Sequence, residues 1–271
     1  IEESLAPLLI GQDPLRIEYL ADLMHRGTMI YGRRGLAMFA ISGVDIALWD
    51  LLGKALNAPV HALLGGATRP TLPVYASLMR YDSPKDVAAA CKGFVAQGFT
   101  MLKLHQTDVA SVRAAREAVG PSVELMLDVN CPWTPAEAIG MARALAPYRL
   151  FWFEEPVWPP EDYTGLAEVA RATDTPIALG ENESTLYGFR EIVERRAGDI
   201  LQPSITKVGG ITEFKKIAAL AQAANLPIAP HSFYFGPGLA ATLHVAATLG
   251  GAMPVEFPTG EHETSFLARP I

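Results

Sequence analysis

Only two of the 271 residues are cysteines, Cys91 and Cys131, and they form no Cys-x-x-Cys pair. That excludes a disulfide scaffold and leads us to expect a reducing, cytoplasmic setting. Aromatic residues make up 8% of the chain, so small and aliphatic side chains must fill the core, as in α/β proteins whose strands are covered on both faces. Long uncharged apolar runs are missing too. The best candidate, Gly35 to Leu52, is broken by Asp45 and Asp50, and no bilayer span is expected. Nor is there a basic stripe. With a net charge of −7, neither nucleic acid nor an anionic membrane is an expected partner. No charged-then-apolar leader precedes the fold, and the start at Ile1 suggests that an upstream segment belongs to the protein.

What the chain does have is 50% hydrophobic residues, enough for a large core, and a repeat. Short apolar runs begin at Val74, Met101, Leu125, Phe151, Ile177, Ile200, Ile228 and Val255, 23 to 28 residues apart. Helix signatures lie between them: Ser83-Pro84 ahead of an apolar stretch stopped by Gly98, and Thr134-Pro-Ala-Glu137, a capping box with proline at the first helical position. Eight strands alternating with seven helices predict a (β/α)7β barrel of the TIM type over residues 71–258. Residues 1–70 read as the helical remainder of an incomplete α+β capping domain, with a buried helix from Leu36 to Leu56. Residues 259–271 read as a tail returning to that domain.

Strands buried on both faces should be apolar throughout, so charges at their C-terminal ends call for a reason. Asp128, Glu154 and Glu181 end the third, fourth and fifth runs, at intervals of 26 and 27 residues. Side by side on one rim they repel, and an oxygen-only set suits one hard divalent cation, Mg²⁺, better than Zn²⁺. No basic residue at the ends of the fourth and fifth runs offers these acids a partner. On the second run Lys103 and His105 are two apart, so both point inward while Leu102 and Leu104 face the helices. A lysine and a cation nearby would keep His105 a neutral base. His231 ends the seventh run across the ring, giving two proton carriers around one metal. Gln202, Ser204 and Glu256 could form a hydrogen-bonding wall.

These residues resemble the enolase superfamily, in the branch of mandelate racemase, muconate lactonizing enzyme and the sugar-acid dehydratases. The resemblance rests on Ser42-Gly-Val-Asp-Ile-Ala-Leu-Trp-Asp-Leu-Leu-Gly-Lys54, Leu63-Leu-Gly-Gly66, Lys103-x-His105, Leu127-Asp-Val-Asn130, Phe153-Glu-Glu-Pro156, Leu179-Gly-Glu-Asn182, Thr206-Lys-Val-Gly-Gly210 and Pro230-His-Ser-Phe233. It implies one Mg²⁺ held by Asp128, Glu154 and Glu181, gripping a substrate carboxylate while the adjacent proton is removed to give an enediolate. It also implies that Glu256 reaches the carboxylate or enediolate as a hydrogen-bond donor, that Lys207 matches a family lysine at the substrate, and that the chains assemble into homo-oligomers.

Two positions depart from the pattern. His105 stands where mandelate racemase has a second lysine, and Ser204 stands where the dyad form has an aspartate beside the histidine. A serine cannot stabilise an imidazolium by charge, so His231 is expected to serve as a general acid or a substrate anchor rather than as a strong base. The expectation is therefore a lyase that dehydrates a sugar acid to a 2-keto-3-deoxy acid, with His105 as base, His231 as acid for the departing hydroxyl and Asn130 near the carboxylate. A racemase, epimerase or lactone cycloisomerase is the nearest rival. A metal-dependent hydrolase, or a catalytically impaired acid-binding protein, represents another class.

Overall fold

The computed structural model describes residues 1–251 and 253–260. Four helices come first: α1 (Ala6–Leu9), α2 (Ile17–Gly27), α3 (Leu36–Leu56) and α4 (Val60–Leu63). Strands and helices then alternate as β1 (Val74–Ser77), α5 (Pro84–Ala96), β2 (Met101–Leu104), α6 (Val109–Val119), β3 (Glu124–Asp128), α7 (Pro135–Leu145), β4 (Trp152–Glu154), α8 (Tyr163–Ala172), β5 (Ile177–Leu179), α9 (Thr185–Arg195), β6 (Ile200–Leu201), α10 (Gly210–Ala223), α11 (Pro237–Thr248) and β7 (Val255–Pro258). The helix starts follow from local chemistry. Ser83 accepts a hydrogen bond from Asp86 N ahead of α5, and Thr134 and Glu137 form a reciprocal capping box ahead of α7.

The strands form one parallel sheet ordered β6-β5-β4-β3-β2-β1-β7, so first and last strands are neighbours and the sheet is curled. Among the described residues seven strands are seen where eight were expected. The missing one, around Ile228–His231, pairs with β6 and the residues after it through the isolated bridges Leu201–Ile228 and Ser204–His231. Pro227 precedes it and Pro230 lies within it, and a proline has no N–H to give the ladder. On the other side Ser232 N donates to Glu256 Oε2 and Ser232 Oγ to the Glu256 carbonyl, so the segment still bridges β6 and β7.

Side chains alternate as the pleat requires. Leu102, Leu104, Leu125, Leu127, Phe153, Leu179 and Leu201 face the helices. Tyr75, Met126, Trp152, Ala178, Ile200 and Ala229 fill the barrel interior, where the Tyr75 and Trp152 rings meet edge-on at 5.5 Å. This apolar plug is the floor under the charged end of the strands.

α3 differs from expectation. It buries only the stripe Met38, Ile41, Ser42, Asp45, Trp49 and Gly53, while Leu36, Phe39, Leu51 and Leu56 are exposed. With 21 residues and a mean hydropathy of 1.6 it is also long and apolar enough to cross a membrane by length and composition. Its buried polar groups instead bond to the barrel: Trp49 Nε1 to Thr212 Oγ1, and Ser42 Oγ and Asp45 Oδ2 to the N-terminus of α10. The expected tail at 259–271 lies almost wholly outside the described residues.

Candidate metal centre and active site

The register of the ladder puts Asp128 opposite Glu154, and Glu181 follows β5 on the next strand, so the three acids occupy one layer at the C-terminal rim. One oxygen from each lies within 4.8 Å of the other two, and all three side chains are buried. Asp128 Oδ2 makes no hydrogen bond despite its burial. Such an atom is costly without a cation, and three carboxylate oxygens leave room for substrate oxygens on an octahedral ion. The residues therefore fit Mg²⁺. Burial and the neighbouring acids push the Glu154 carboxyl up to about 7 even against Lys103, and burial with Glu181 nearby takes adjacent Glu155 to about 8.

The acids do have a basic partner, and it comes from neither the fourth nor the fifth strand. Lys103, fully buried, sits beneath them with Nζ 2.7 Å from Glu256 Oε1, 2.9 Å from Glu154 Oε1 and 3.6 Å from Asp128 Oδ2. Burial alone would favour the neutral amine, but these carboxylates outweigh it and raise the lysine well above its usual range. Reading strand ends four and five missed this because the lysine comes from β2. Glu256 also differs from the donor expected. Both its oxygens accept, from Lys103 Nζ, Ser77 Oγ and Ser232 N. Burial opposes its charge, yet Lys103 and His231 prevail and draw its carboxyl down to about 2. An ionised group so held is an acceptor.

His105 lies at the rim with Nδ1 against the Leu78 carbonyl, and Nε2 is 3.3 Å from Asp128 Oδ2. A carbonyl only accepts, so Nδ1 carries a proton and Nε2 is the nitrogen turned to the metal layer. His231 flanks the other end of the trio, Nε2 2.8 Å from Glu181 Oε2. Its Nδ1 is buried without a hydrogen bond. Ser204, beside it in register, contacts Thr206 Oγ1 at 3.3 Å instead. Burial disfavours the imidazolium, but Glu181 and Glu256 outweigh it and raise the His231 pKa, while His231 holds the Glu181 carboxyl below the usual carboxylate range against the effect of burial.

Asn130 donates from both its backbone N and Nδ2 to Asp128 Oδ1. Gln202 is wholly buried in the interior, and neither its Nε2 nor its Oε1 has a hydrogen-bond partner. Half-buried Lys207 lines a cavity of about 470 Å³ with Asn130, Glu181, Asn182, Trp158 and Phe39. Three of these positions were not foreseen: Asn182, Trp158, and Phe39 on α3. Nor was Arg80, whose guanidinium bonds the His105 carbonyl and Asn130 Oδ1, nor Glu155, which accepts from Gly180 N and from Cys131 Sγ. The strand-end rule that found the acids points to Arg80 after β1, and the doubled Glu154-Glu155 points to the second acid.

Comparison with known proteins agrees with this geometry. The profile of the family described as enolase C-terminal domain-like matches residues 86–270, and that of the mandelate racemase / muconate lactonizing enzyme N-terminal domain matches residues 1–65. The chain is 38% identical over 259 residues to arabinonate dehydratase of Saccharolobus solfataricus, covering 92% of this chain and 69% of that protein. It is 39% identical to 3,6-anhydro-alpha-L-galactonate cycloisomerase of Streptomyces coelicolor, covering 86% and 66%. The chain thus spans about two thirds of the length of these relatives. A solved racemase from Streptomyces coelicolor with bound magnesium superposes with a TM-score of 0.88 at 36% identity, over 94% of this chain and 72% of that one. On fold, profile and identity together, the chain belongs to the enolase superfamily, in its mandelate racemase and sugar-acid dehydratase branch.

Proposed function

We propose that this protein removes the proton next to the carboxylate of a sugar acid and dehydrates the resulting enediolate to a 2-keto-3-deoxy acid. The observation that carries the reading is the placement of His105 and His231 at opposite ends of the Asp128, Glu154 and Glu181 layer. When bound by these three residues, Mg²⁺ would supply the positive charge that an enediolate needs on its carboxylate oxygens. His105 takes the α-proton on Nε2, because Nδ1 is committed to Leu78. His231 gives a proton from Nε2 to the departing β-hydroxyl. Lys103 supplies positive charge to Glu154 and Glu256 from beneath, and Asn130 holds Asp128 in place and presents its amide at the mouth. Trp158 and Phe39 give the cavity apolar walls, and Asn182 and Lys207 give it polar ones, a mixture suited to a hydroxylated chain.

The relatives that are named dehydratases support this outcome, and the cycloisomerase supports a second, in which the same enediolate is reprotonated or closes a ring. The test is a panel of aldonates, D-galactonate, L-rhamnonate and arabinonate, incubated with Mg²⁺ in D₂O. Release of a semicarbazide-reactive keto acid, lost in His105→Ala, is the result expected. Deuterium uptake without keto acid would assign the isomerase outcome. Mg²⁺-dependent binding of an acid with no exchange at all would leave only a binding protein.

A further inference from the structure

We propose that Ser42 and Asp45, on α3 of the N-terminal segment, are positioning residues that set Lys207 at the mouth of the barrel. The lysine sits on the loop between β6 and α10, and the peptides from Lys207 to Gly209 are held from two sides. Ser184 Oγ donates to the Lys207 carbonyl and Thr185 N to the Val208 carbonyl from one side. From the other, Ser42 Oγ accepts from Gly209 N at 2.9 Å and Asp45 Oδ2 from Thr212 N at 3.0 Å. α3 thus caps α10 from outside the barrel, a task that the loop's own residues do not perform, since no side chain of the loop caps that helix.

The contact is close enough to demand special residues. Gly209 and Gly210 have φ of +117° and +82°, and a Cβ on Gly210 would stand 2.2 Å from Asp45 Oδ2. Asp45 is fully buried, and its Oδ1 has no hydrogen-bond partner. Burial pushes the carboxyl up to about 6 despite the bonds from Thr212. A buried carboxylate so poorly repaid lowers stability; what it provides is a fixed path for the chain at Gly210 and Thr212, three and five residues after Lys207. Lys207 lines the same cavity as Glu181 and Asn182, so a shift of that loop moves its ammonium relative to the cavity while the metal-ligand residues stay in place.

The kinetic arm of the test rests on the proposed reaction, whereas the labelling arm does not. Trace acetylation with acetic anhydride in the presence of Mg²⁺, read by peptide mass spectrometry, gives the reactivity of Lys207 relative to exposed Lys85 and Lys92 on α5. Ser42→Ala and Asp45→Ala should change that ratio by about threefold or more, while Asp45→Asn, which keeps an acceptor for Thr212 N, should hold it within about twofold. An unchanged ratio in both alanine variants overturns the proposal, and Ser42→Ala, the milder change, decides if Asp45→Ala does not fold. In deuterium exchange into D-galactonate, Ser42→Ala should lower kcat/KM by about tenfold in the parent and have no further effect in a Lys207→Met background. Additive losses would mean that Ser42 acts otherwise than through Lys207. If the parent shows no exchange with any acid, the proposed reaction fails and the labelling result still stands.

Discussion

Replacing Lys103 by methionine tests the electrostatic foundation of the site. The ammonium is fully buried, with carboxylate oxygens at 2.7, 2.9 and 3.6 Å. At an effective dielectric constant of about 20, these distances correspond to gross attractions of about 6, 6 and 5 kcal/mol. Most of that sum is offset by the desolvation of four charges, so the measured loss should be far smaller. Removing one member of a buried ionic cluster typically costs about 3–5 kcal/mol, because the remaining charges are left uncompensated. Urea unfolding of Lys103→Met at pH 7 without metal should show a loss in that range, which for a chain of this size lowers Tm by roughly 10 °C. Two further outcomes follow from the same cause. Acidification should narrow the gap, since protonating Glu154 and Glu256 relieves their repulsion. Added Mg²⁺ should narrow it as well, since the cation replaces part of the lost positive charge. A loss under about 1 kcal/mol, or a gap indifferent to both pH and Mg²⁺, would refute the view that Lys103 balances the acids.

Asp45 gives a pH signature. Its folded pKa of about 6 exceeds the ordinary 3.8, so the native state binds the extra proton and stability falls as pH rises from about 4 to about 6. A shift of about two units amounts to about 3 kcal/mol. Subtracting the stability curve of Asp45→Asn from that of the parent should reveal this slope, and a flat difference would contradict it. Glu181→Gln should abolish calorimetric binding of Mg²⁺ while leaving far-UV circular dichroism unchanged. Gly210→Ala should destabilise the protein by about 2 kcal/mol or more, since the added carbon meets Asp45 and the backbone is left-handed there. Ser204→Asp should move the kinetic pKa assigned to His231 upward by about one unit or more, because a carboxylate would then stand on the residue paired in register with the histidine; an unmoved pH profile would contradict this.

The sequence by itself determined the repeating units and the layer of acids. Spacings of 26 and 27 residues bring Asp128, Glu154 and Glu181 to the C-terminal ends of consecutive strands, because each βα unit advances the chain by one strand; in the ladder Asp128 faces Glu154, while Glu154 faces Ala178 and Glu181 comes three residues later. Likewise Thr134 and Glu137 cap α7 through bonds that span only three residues. What only the tertiary structure decided are contacts between positions far apart in the chain. Lys103 meets Glu256 because the curled sheet brings β7 beside β1, two strands from β2. The Leu78 carbonyl selects the free nitrogen of His105, and a backbone carbonyl leaves no mark in the residue pattern. The apolar sequence of α3 could not tell which of its faces the barrel covers, because helical periodicity is lost when hydrophobic residues lie all round; the hydrogen bonds of Ser42, Asp45 and Trp49 to α10 settle it.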